Sequence, residues 1–185
     1  MKALQLEKPE HWRQIDIAEP NRPRAGEALV RVQRIGICGT DIEIIQGDYG
    51  RSPPGDDYLI LGHEALGRVL EAPSGSELRA GDLVVPMVRH PDPVPCPNCA
   101  VGEWDMCRNG LYTEHGIKER DGFAAERYRL EPEFAVGVDP PLGRHLIHQD
   151  AQGVQITHRL DRDHPGTPQP VRHQVPRGGE QEGPG

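Results

Sequence analysis

Aromatic side chains make up only 4% of these 185 residues. No run of about 18 apolar residues occurs, which excludes a membrane-spanning helix. The N-terminus has no basic-then-apolar leader, so a cytoplasmic location is expected. Positive charge is in short supply: 21 Lys and Arg stand against 29 Asp and Glu, a net charge of -8. That balance argues against nucleic acid or an anionic membrane as partner. Cysteine is limited to four residues, and in a reducing compartment these are expected as metal ligands or free thiols rather than disulfides. What is plentiful is Gly, with 22 residues, and Pro, with 19. Few aromatics and many turn formers suit a mainly β, loop-rich domain better than a helical bundle. The length allows one domain with a tail.

Two glycine-flanked turns carry the chemistry. One is Gly36-Ile37-Cys38-Gly39-Thr40-Asp41, and the other is Leu61-Gly62-His63-Glu64-Ala65-Leu66-Gly67. Alone, Cys38 reads as a small buried hydrophobe and His63 as a core histidine. Together a thiolate and a neutral imidazole form a donor pair that suits tetrahedral zinc. Thr40-x-x-Glu43 matches a capping box, so a short helix is expected from Thr40, with Ile42 and Ile45 as core contacts. Thr40 has a second reading, as a hydroxyl that relays a proton at the metal. Glu64 is either a solvated carboxylate, a group that orients the ligands, or a ligand that enters when water leaves.

Strands are expected over 1–6, over 28–35, where apolar and polar residues alternate from Val30 to Gln33, over 65–70, and after the Ala80-Gly81-Asp82 turn. A second cluster, Cys96-Pro97-Asn98-Cys99 with Cys107, lies in a lobe spanning 90–110. C-x2-C followed by a third cysteine is a structural-zinc signal. The fourth ligand is open between Asp92 and His90, and free thiols without metal are the alternative.

Taken together, the two turns resemble those of the zinc-dependent medium-chain alcohol dehydrogenases. Glu43, Gly47, Tyr49-Gly50 and Glu114 ahead of Gly116-Ile117 sharpen the resemblance to the glucose 1-dehydrogenase branch, from residue 1 to about residue 143. The resemblance implies a GroES-like distorted barrel with short helices. It implies a catalytic zinc on Cys38 and His63, joined by Glu64. It implies a structural zinc with four cysteines, of which Cys96, Cys99 and Cys107 match the last three while the first falls on Pro93. Glu114 would contact the sugar, a role that suits a carboxylate facing vicinal hydroxyls; its plainer reading is an exposed loop glutamate. His115 has no matching role and is expected at the surface. The substrate implied is a small-molecule sugar or polyol, and hydride would pass to NAD or NADP.

From Arg144 the composition turns to Arg, His, Gln, Pro and Gly, with five irregularly spaced histidines. Residues 144–185 are therefore expected to form a structureless tail outside the family pattern. Where the family continues with a glutamate ligand and a Rossmann domain, no G-x-G-x-x-G follows a strand here. No cofactor-binding residue is identified. The expectation is a truncated form, inactive alone, arising from a frameshift near codon 144 or made as a short product, with an uncovered domain face that favours self-association. The alternatives are a non-catalytic zinc-binding GroES-like module and a general zinc alcohol dehydrogenase.

Overall fold

The computed structural model describes residues 1–20, 24–138 and the backbone strand 155–158. The chain opens with β1 (Lys2–Lys8) and β2 (His11–Asp16), an antiparallel hairpin turned at Glu10, whose φ is 63°. Then come β3 (Ala28–Ile37), α1 (Gly39–Gln46), β4 (Leu59–Ile60), β5 (Glu64–Glu71) and β6 (Leu83–Pro86). Two single-turn 3-10 helices, Cys99–Val101 and Trp104–Met106, lie between β7 (Arg89–His90) and β8 (Thr113–His115). β9 (Glu119–Arg120), β10 (Arg127–Leu130), β11 (Ala135–Gly137) and β12 (Gln155–His158) complete the set.

Three sheets share the core: β2-β1-β4, β10-β3-β5-β6-β11, and β7-β8-β9. Their curled, mainly antiparallel arrangement around one α-helix is the distorted barrel expected. β3 is the central strand, because Val30, Val32 and Ile35 point into a cluster with Val69, Val84, Phe123 and Leu130. Gly67 on β5 has to be glycine, since a Cβ there would overlap Val30 and the Tyr128 hydroxyl. A second cluster, Leu6, Ile44, Leu59, Leu61, Ile117 and Ala124, seats α1 against the turn that carries His63. Full burial of Ile44 alone contributes roughly 1.5–3 kcal/mol.

Several local expectations change. The helix starts a residue early, at Gly39, with Cys38 as its N-cap. Asp41 rather than Glu43 closes the cap, its Oδ2 accepting the Cys38 amide at 2.8 Å. Ile44 faces the core and Ile42 faces solvent. β2 has no counterpart among the expected strands, because its residues are polar and mostly exposed. The strand β6 is half buried, with Val84 inside and Val85 outside. Within the expected tail, β12 pairs in parallel with Arg34–Ile37 of β3; the rest of 144–185 lies outside the described residues. No described helix is long and apolar enough to cross a membrane.

Candidate functional site

β3 delivers Cys38 to the start of α1, and the β4–β5 turn delivers His63 opposite it. Gly62 makes that turn possible with φ 90°. Cys38 Sγ lies 3.2 Å from His63 Nε2. Zinc–ligand bond lengths at a tetrahedral angle place sulfur and nitrogen about 3.5 Å apart, so a small relaxation seats the ion between them. Asp41, to which the sequence reading assigned no role, completes the group. Its Oδ1 is 3.4 Å from His63 Nδ1 while Oδ2 holds the Cys38 amide. One buried carboxylate thus holds the Cys38 backbone by a hydrogen bond and faces the Nδ1 edge of the imidazole as a charge partner, while Nε2 points to Cys38. Asp41 is the strongest influence raising His63, which is pushed up to about 9. Burial pushes Asp41 up, but His63 and the Cys38 amide outweigh it and hold the carboxyl below its ordinary range.

Thr40 is half buried in the first turn of α1, next to Cys38. Glu64 does not join Cys38, Asp41 and His63: it is exposed at the start of β5, with its carboxylate against Gly36. Gly36 is its register partner on β3, and a Cβ at that position would overlap the Glu64 side chain.

Cys96, Cys99 and Cys107 converge, with Cys96 Sγ and Cys99 Sγ 3.6 Å apart. Two thiolates on one tetrahedral zinc sit about 3.75 Å apart, so the spacing fits. The Arg108 amide, and then that of Cys99, point at the Cys96 sulfur and lower its pKa to about 6. Asp92, buried, places Oδ2 3.9 Å from Cys107 Sγ and accepts the Val94 amide through Oδ1. His90 turns elsewhere, its ring 3.8 Å from Phe134 and 5.0 Å from His115. Asp92 is therefore the better-placed of the two candidates for the fourth position.

Glu114 is not an exposed loop residue. It is 7% exposed on β8, opposite Arg89 of β7. Arg89 donates from Nε at 3.0 Å and from Nη2 at 2.9 Å, both to Oε1. Oε2 is buried without a partner, a condition that costs roughly 1–3 kcal/mol. The pair borders a cavity of about 340 Å³ shared with Met87, Gly102 and Trp104. Gly116 packs so closely on the Gly62 carbonyl that a Cβ would overlap it. The segment bearing Glu114 is thereby locked to the segment bearing His63. His115, expected at the surface, is buried, with Nδ1 2.6 Å from the Asp121 carbonyl. Its pKa falls to about 3 and that of His90 to about 4, in each case chiefly through burial.

Residues 24–140 match the alcohol dehydrogenase GroES-like domain model, and the chain belongs to that family. Within it, the chain is similar to glucose 1-dehydrogenases. That of Methanocella arvoryzae is 47% identical over 138 residues, covering 73% of this chain and 38% of the relative. Glucose 1-dehydrogenase 2 of Vulcanisaeta moutnovskia is 44% identical, covering 70% of this chain and 36% of the relative. Among solved structures, the Haloferax mediterranei glucose dehydrogenase in complex with NADP, Zn and gluconolactone superposes with a TM-score of 0.69 at 37% identity. That match covers 76% of this chain and 40% of the Haloferax chain. The chain thus spans about two fifths of the length of these relatives.

Proposed function

We propose that this chain supplies the metal- and sugar-binding part of a zinc-dependent, NAD- or NADP-linked aldose 1-dehydrogenase acting on D-glucose. The convergence of Cys38 Sγ and His63 Nε2, braced by Asp41, carries the reading. Zinc held by Cys38 and His63 would supply Lewis-acid polarisation of the C1 hydroxyl, and a nicotinamide cofactor would supply the hydride acceptor. Cys38 and His63 hold the metal, and Asp41 lies 3.4 Å from the Nδ1 edge of the ring, so that Nε2 is the nitrogen turned to Cys38. Glu64, exposed beside the site, is free to swing in as a further ligand. Thr40, half buried in the first turn of α1 near Cys38, carries the hydroxyl proton outward. Glu114, on the wall of the cavity, accepts a hydrogen bond from a ring hydroxyl. Cys96, Cys99 and Cys107 with Asp92 hold a second, structural metal.

Metal analysis tests this directly. Two zinc ions per chain are expected for the natural sequence, and one each for Cys38→Ser and Cys99→Ser. Two zinc ions that persist in Cys38→Ser would remove the catalytic site from the reading.

The described residues contain no strand, glycine-rich turn and helix of the dinucleotide-binding kind. Glucose turnover on this reading therefore needs a nucleotide-binding unit in addition, and glucose-dependent NADP reduction by the purified 185 residues would contradict it. A non-catalytic zinc-binding module is the second reading. It is favoured by Val85 and its cross-strand partner Val136, both exposed on β6 and β11, which suit self-association. Self-association without any sugar binding would select it.

A further inference from the structure

Arg89 has three anchors that the proposed sugar contact by itself does not explain. Nε and Nη2 both bind Glu114 Oε1. Nη1 donates at 3.1 Å to the carbonyl of Asp105, in the cysteine lobe. The guanidinium also packs on the Tyr112 ring, 4.1 Å from its centroid. A guanidinium facing a carboxylate usually grips both oxygens side by side. Here both donors go to one oxygen, and the other is left buried and unpaired. The cavity beside the pair is walled by Gly102, Trp104 and Asp105 of the lobe on one side and by Arg89 and Glu114 on the other.

We propose that Arg89 is a positioning residue that clamps Glu114 to the cysteine lobe and holds its carboxylate, charge-compensated, on the wall of the cavity for a neutral sugar hydroxyl. The inference rests on the reading of Glu114 as the sugar contact. It adds two things to that reading. The lobe helps to shape the sugar site, because the clamp ends on its backbone. The site also favours uncharged over ammonium-bearing sugars, because Arg89 already neutralises the carboxylate.

The test uses the zinc-loaded 185-residue chain, titrated by NMR with D-glucose and with the ammonium form of a 2-amino-2-deoxyhexose. Arg89→Met is expected to weaken D-glucose binding about tenfold or more. The same substitution is expected to shift the amino-sugar to glucose ratio about fivefold toward the amino sugar. Arg89→Lys keeps the charge but cannot reach Glu114 and Asp105 together. It is expected to lose glucose affinity while keeping the natural ratio, an outcome that a general loss of packing would not give. Glu114→Gln separates the two levels. If it weakens binding while Arg89→Met changes neither affinity nor ratio, the clamp is overturned and the sugar contact stands. If it changes nothing, or the natural chain binds no sugar, the sugar contact falls and the clamp with it. A measurement without sugar gives an independent check: the Arg89 Nε–H resonance is expected to be protected from exchange, and to lose protection in Glu114→Gln. An unprotected resonance in the natural chain overturns the proposal.

Discussion

The two candidate metal sites are built in opposite ways. Cys38 and His63 sit on backbone that the core already fixes, at the end of β3 and on the turn into β5, with α1 pinned by Ile44. Cys99 opens one 3-10 turn, Cys107 caps the next and Cys96 lies in the loop before them, with no strand among the three. Val94, Val101 and Met106 of that lobe are each more than 60% exposed. The first site is organised by packing and a buried carboxylate. The second has little apolar burial to hold it, so its ligands are the framework, as in small zinc-dependent folds. On the proposed reading the four cysteines have two different jobs. Losing the metal should empty the first region and loosen the second.

The close packing of Gly116 on the turn that carries His63 gives the largest expected effect. Gly116, at φ 69°, packs on the Gly62 carbonyl, so Gly116→Ala should cost roughly 2–4 kcal/mol of stability. It should disturb both regions together, read by thermal unfolding and by zinc affinity. Next, Cys99→Ser should release one zinc and make residues 91–111 protease-sensitive while the core's unfolding temperature moves little. Equal loss of the core would break the contrast.

Asp41→Asn should weaken zinc at Cys38 and His63 by about 10–100-fold and leave the cysteine lobe loaded. Because His63 is held protonated up to about 9 in the chain alone, zinc uptake there should release a proton and weaken as pH falls. The smallest effect is on pH stability. His90 and His115, at about 4 and 3, stay neutral in the fold, while in the unfolded chain they take up protons near 6.5. The unfolded state then binds more protons, so stability should be unaffected above pH 6.5 and fall as pH drops from there toward 4. Denaturant melts of His115→Phe should show a shallower acid limb.

Much of this was legible along the chain. Cys38 and His63 stand out because glycines flank both turns, and β3 and the buried Phe123 follow from local pattern. Asp41 was hidden by a better-looking signal, since Thr40-x-x-Glu43 fits a capping box that the fold does not use. The burial of Glu114 and His115 depends on the pairing of β7 with β8 across 22 intervening residues. No local periodicity reveals that a three-residue strand has both its neighbours covered. β2 escaped for the reverse reason, as a polar edge strand that buries almost nothing.

The exposure of Trp12 on β2, against the packing of Trp104 on Phe134 at 5.5 Å, has a practical consequence. These are the chain's two tryptophans, and only Trp104 lies in the cysteine lobe. Trp12, already in water, has little emission left to shift. Fluorescence change on chelation therefore comes from Trp104, and the protein carries its own optical gauge of whether the lobe is folded, with no label attached.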